Sequence, residues 1–159
     1  MKQGHAKAGI PAPTPDGSDF YETPAGAVNA LLIREVFPRF VWEPAAGLGA
    51  ISKVLRANGH SVFESDIVEH PGRDPRHPLH VSDFLDSRAP VPAHCGAIIT
   101  NPPFSRLTEF MVRARDVGVR KVALLIPLTA LSGAERFGST YQHFPPCSVY
   151  VFEIGRAHV

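Results

Sequence analysis

Four consecutive residues, Ala97-Ile98-Ile99-Thr100, form a β-branched apolar run that stops at Asn101-Pro102-Pro103. A strand with no polar alternate position has no solvent face, so it belongs inside a parallel sheet covered by helices on both sides. The prolines end it at a rigid turn, because each fixes φ and lacks an N–H donor. The carbonyls of Asn101 and Pro102 and the Asn101 side-chain amide are thereby left as acceptors, and the ring of Phe104 follows at once. Convergent acceptors beside a flat apolar face suit a planar molecule bearing an amino group: its N–H donors meet the oxygens while its ring stacks on Phe104. Taken alone, the same residues also describe an ordinary strand and a proline-stiffened turn.

Strand and helix patterns alternate around this run. Val28, Leu31, Leu32 and Val36 recur at helical spacing within residues 25–37, and Phe40-Val41-Trp42 is a short strand. A helix over 51–58 stops at Gly59, and a second strand over 60–65 ends at Asp66. A polar loop holding Pro71, Pro75 and Pro78 covers 69–80, and a short strand near 79–81 precedes Asp83-Phe84. Beyond Thr100 come a helix over 107–117, a strand over 122–126, a helical stretch around 130–137 and a last strand over 148–152. Such alternation predicts a mostly parallel, doubly wound α/β sheet with its ligands at the carboxyl ends of the strands.

With 159 residues, 44% of them hydrophobic, the chain can bury one core. Residues 1–18, rich in Gly, Ala and Pro, read as a disordered arm before a domain over 19–153. No run nears the roughly 20 apolar residues of a membrane span, and no signal-peptide core is visible near Met1. Cys95 and Cys147 stand apart, which predicts a reducing cytoplasm. His70, His77 and His80 match no zinc spacing, so no metal is expected and a solvated loop is the better reading. A net charge of +1 argues against a strongly basic nucleic-acid binder. Arg106, Arg113, Arg115, Arg120 and Lys121 form either a local basic surface or a solvated helix face.

A second constellation, Glu43-Pro44-Ala45-Ala46-Gly47-Leu48-Gly49, follows the first strand. Glycines there let a ligand approach the backbone, although a plain strand-to-helix turn explains Gly-x-Gly equally well. Glu43 sits at the strand's end, and Asp66, at the end of the next strand, can accept both hydroxyls of a ribose. The third glycine of a dinucleotide fingerprint is missing, and so is a Walker lysine, which suits a nucleoside cofactor without a pyrophosphate. Asp83-Phe84 supplies a polar group and an apolar face for a base, or simply a strand-end cap and a core phenylalanine.

In order, Asp19-Phe20-Tyr21-Glu22-Thr23-Pro24, the Glu43–Gly49 loop, Ser65-Asp66, Asp83-Phe84 and Thr100-Asn101-Pro102-Pro103-Phe104 resemble the small S-adenosylmethionine-dependent DNA adenine methyltransferases of phages and bacteria. The resemblance runs from about Asp19 to Phe152. It implies a Rossmann-like sheet of seven strands with one antiparallel strand near its edge. It further implies that Tyr21, Thr23 and Pro24 line the methionine end of the cofactor. Glu43, Ala45, Gly47 and Gly49 would form the loop beneath it, with Glu43 near its amino group. Asp66 would bind the ribose, and Asp83 and Phe84 would hold the adenine. Asn101 and Pro102, in the rigid frame set by Pro103, would accept the target amino group, and Phe104 would stack on a flipped-out base. DNA is the partner implied; neither a metal nor a covalent nucleophile is needed.

The last residues, Ile154-Gly155-Arg156-Ala157-His158-Val159, match no continuation expected of that family. The codons ATC GGA AGA GCA CAC GTC, part of a common sequencing adapter, encode them. The expectation is adapter read-through, with the family's final strand missing between the 122–126 and 148–152 strands. Three functional readings follow from the sequence: a DNA adenine methyltransferase, the same chemistry on ribosomal RNA or a protein glutamine amide, and a cofactor-binding remnant without activity.

Overall fold

The computed structural model describes residues 23–132, 137–142 and 144–152. Tyr21, the 1–18 arm and the 154–159 tail lie outside the described residues.

Five parallel strands form one sheet: β1 (Phe40–Glu43), β2 (Ser61–Asp66), β3 (His80–Val81), β4 (Ala97–Thr100) and β5 (Lys121–Leu124). Their spatial order is β3-β2-β1-β4-β5. The chain moves outward from β1 through β2 to β3, then returns to lay β4 on the other side of β1. That reversal leaves a crevice above the carboxyl ends of β1 and β4, where open α/β sheets bind their ligands.

Strand alternation decides which helix covers which face. Val41, Ala97 and Ile99 point to one side, where they pack with Val28 of α1 (Ala25–Arg34) and Ile51, Val54 and Leu55 of α2 (Ala50–Ala57). Trp42 and Ile98 point to the other side, against Phe84 and against Phe110 and Ala114 of α3 (Leu107–Val117). Trp42 is the keystone of this second face. Its ring meets Phe84 edge-on at 5.1 Å, and its Nε1 donates to Ser65 Oγ at 2.8 Å, so its polar atom is satisfied inside the core. Truncating a ring of this size in a core costs about 3–5 kcal/mol.

The structure corrects three expected elements. Helix α1 stops at Arg34 rather than Phe37, because Glu35 turns extended and Phe37, before Pro38, is biased away from helix. The helical stretch at 130–137 is a short 3₁₀ turn, Leu128–Leu131, opened by Pro127, followed by a π turn at Phe137–Tyr141; residues 133–136 are outside the described set. Ser148–Phe152 is not a strand, since a strand exists only by pairing and no described strand pairs with it. Instead Tyr150 Oη donates to Glu35 Oε1 at 2.5 Å, and Val149, Tyr150 and Val151 are exposed.

Candidate active site

The site begins where β1 ends. Gly49 is the N-cap of α2 and carries no side chain to accept the orphan amides of the first turn. Glu43 does this from β1: its Oε2 accepts from Ser52 N–H at 2.9 Å and from Ser52 Oγ. Glu43 is also the register partner of Glu64 on β2, which places two buried carboxyls side by side. Like charges opposite one another in a sheet repel, and the protein resolves this asymmetrically. Burial pushes Glu43 up to about 8, against the Ser52 hydrogen bonds and with help from the Glu64 charge, so it is a neutral acid at pH 7. Burial also opposes ionisation of Glu64. There, however, hydrogen bonds and charge from Arg56 and then Arg73 win, holding its carboxyl below the usual carboxylate range. Arg56 Nη2 lies 2.6 Å from Glu64 Oε2, and Arg73 Nη2 lies 3.0 Å from Oε1.

The glycine turn rests on this ion pair. Gly47 and Gly49 have φ of 50° and 83°, the left-handed region that a side chain rarely adopts. A Cβ at Gly49 would meet Glu64 Oε1 at 2.9 Å, so the close approach here is to the buried charge cluster. Gly47 N–H donates to Asp66 Oδ2 at 2.8 Å, and Arg73 Nη1 donates to the Gly47 carbonyl. His70 Nε2 lies 3.3 Å from the same Asp66 oxygen.

Above the turn lies a cavity of about 300 Å³. It brings together Thr23, Glu43, Ala45, Gly47, Asp66, Asp83, Phe84, Asn101 and Pro103 from the residues singled out by sequence. Pro24, Gly49, Pro102 and Phe104 are not in its lining: Gly49 lies on Glu64, Pro102 is buried, and Phe104 is 39% exposed in a short helical turn, Phe104–Arg106. Asp83 is exposed and its Oδ1 accepts from Leu85 N–H at 2.8 Å, while Phe84 lines the cavity from within the Trp42–Phe110 core cluster. The lining also includes His70, Ser105, Arg106 and Phe110, which sequence reasoning left aside. His70 reads in the sequence as part of a solvated polar loop over 69–80, and Arg73 belongs to the same loop; the structure instead folds both back against the glycine turn. Only a basic residue near a buried register-paired glutamate could have hinted at Arg73.

The basic cluster is largely neutralised by its neighbours. Arg106 pairs with Glu109, Arg115 with Asp116 and Lys121 with Glu35. Arg113 Nε donates to the Phe84 carbonyl at 3.1 Å, tying α3 to the segment behind the cavity. No group of three His, Cys, Asp or Glu among the described residues is placed to hold a metal ion. No helix among them is long and apolar enough to cross a membrane.

The strand order, the glycine turn after β1 and the switch-point cavity define a Rossmann-like, doubly wound α/β fold. Among solved structures similar to this chain is that of a candidate RNA methyltransferase from Pyrococcus horikoshii. It superposes with a TM-score of 0.52 over 75% of this chain and 69% of its own, at 17% sequence identity. No family model matches the chain, and no curated protein matches it.

Proposed function

We propose that this protein transfers a methyl group from S-adenosylmethionine to the exocyclic amino group of adenine in DNA. The observation that carries the reading is one cavity, at the switch point, lined by Asp66 from the end of β2, Gly47 from the left-handed turn and Asn101 and Pro103 from the end of β4.

The lining fits the cofactor. A volume of about 300 Å³ falls within the range of small-molecule sites. Glu43, Asp66 and Asp83 are acceptors suited to hydroxyl and amino donors, and two of them would repel a phosphate. Asp66 is the ribose partner in this reading, Asp83 and Phe84 flank the adenine, and Thr23 lines the methionine end, with Tyr21 and Pro24 assigned there by the motif resemblance alone. Glu43, Ala45, Gly47 and Gly49 shape the floor. When bound, S-adenosylmethionine supplies an electrophilic methyl on a sulfonium, itself a good leaving group.

The chain's own contribution is positioning. The Asn101 side-chain oxygen and the Pro102 carbonyl accept hydrogen bonds from the two N–H groups of the target amine, drawing the nitrogen lone pair out of ring conjugation and aiming it. Pro103 stiffens the turn that carries them. Phe104 offers its ring to a base turned out of its helix. The resemblance of the motif set to DNA adenine methyltransferases supports DNA. The likeness to a candidate RNA methyltransferase favours a second reading, the same chemistry on an RNA base.

Labelled S-adenosylmethionine offered with unmethylated DNA, ribosomal RNA and protein extract tests this. Label recovered as methyladenine in DNA is the expected result. Label in RNA or in glutamine would move the acceptor, and cofactor binding without any transfer would mark a remnant.

A further inference from the structure

The polar loop 67–79 contributes a side chain that none of the expected site residues accounts for. Arg73 is 10% exposed and touches both the glycine turn and the buried carboxylate beneath it. Its Nη1 donates to the carbonyl of Gly47, and its Nη2 lies 3.0 Å from Glu64 Oε1. The N–H of the same glycine donates to Asp66 at 2.8 Å. Gly47 is thus held at both of its backbone polar groups, by Asp66 on one side and Arg73 on the other. The next glycine, Gly49, packs so closely on the ion pair that a Cβ would fall 2.9 Å from Glu64 Oε1 and 3.6 Å from Arg73 Nη2.

We propose that Arg73 is a positioning residue for cofactor binding, setting the Gly47 turn through one guanidinium shared between the Gly47 carbonyl and the buried Glu64 carboxylate. The inference rests on the cofactor reading given above. A planar guanidinium can serve both acceptors at once, whereas an ammonium is a point donor that cannot reproduce the fork. The geometry also separates this role from general stability. Arg56 holds the other oxygen of Glu64 at 2.6 Å, so removing Arg73 leaves the buried carboxylate paired. Among the hydrogen bonds of Arg56, the backbone acceptor is Val62, on the strand and away from the turn.

The test compares R73M, R73K and R56M with the wild-type protein. Affinity for S-adenosylmethionine and S-adenosylhomocysteine is read by titration calorimetry, and thermal stability is read without ligand. R73M should weaken both ligands by roughly tenfold, the scale of one charge-assisted hydrogen bond. R73K should fall several-fold short of wild type despite keeping the charge. R56M should melt earlier yet bind within about twofold of wild type. Equal melting losses for R73M and R56M with equal affinities would overturn the proposal and leave Arg73 a purely structural partner of Glu64. If R73M does not fold, R73K decides, and wild-type affinity in R73K overturns it. Wild-type protein that binds neither compound would overturn the cofactor reading itself, and this inference with it.

Discussion

Glu43 Oε2 accepts the backbone N–H of Ser52 at 2.9 Å, joining the end of β1 to the first turn of α2. The bond does the work of an N-cap side chain at a position where the close approach to Glu64 demands glycine. It also holds a glutamate in a place where ionisation is costly.

The pH dependence of stability follows from that burial. Glu43 keeps its proton in the fold up to about pH 8 but loses it near 4.5 in the unfolded chain. The unfolded state therefore binds fewer protons between these values, and stability falls as pH rises through the window. E43Q removes this dependence while keeping the shape. Its stability advantage over wild type should grow between those limits by at most about 1.4 kcal/mol per pH unit and then level off. Urea denaturation over a pH series measures it, and a difference that stays constant with pH would return Glu43 to ordinary ionisation.

Gly49 tolerates no side chain for two separate reasons, a φ of 83° and the 2.9 Å approach to Glu64. G49A should lose about 1–3 kcal/mol of stability and loosen the turn. Chemical denaturation gives the number; a variant as stable as wild type would show that the turn does not rest on the ion pair.

Asp66 has a structural task beside its proposed ribose contact, since it accepts the Gly47 amide at 2.8 Å. D66A should weaken S-adenosylmethionine binding by an order of magnitude or more, because both roles fail together. Calorimetric titration reads this directly, and unchanged affinity would remove Asp66 from the pocket.

Asn101 is the acceptor-side residue of the proposed reaction. N101A should abolish methyl transfer while leaving cofactor affinity nearly unchanged, the split expected of a group that acts on the substrate amino nitrogen. Single-turnover transfer assayed alongside cofactor titration separates the two, and a fully active variant would refute the assigned role.

The apolar runs at Val41-Trp42 and Ala97–Thr100, the helix pattern ending at Val117 and the turn residues between them settle the layers of this fold locally. Burial on both faces of a strand, helical spacing and proline turns are written in neighbouring residues. For the same reason the positions of Asp66 and Asn101 at strand ends are legible in the sequence alone. The edge is not: Ser148–Phe152 has the composition of a strand, but pairing is a property of two segments, and no described strand pairs with it. Nor is the charge cluster beneath the glycine turn. Glu43 and Glu64 become neighbours only through the β1–β2 register, and Arg73 reaches them only because the loop after β2 folds back under Gly47. Short-range pattern carries periodicity and turn chemistry. Which carboxyl stays neutral and which is paired depends on contacts between distant segments, and only the tertiary structure decides that.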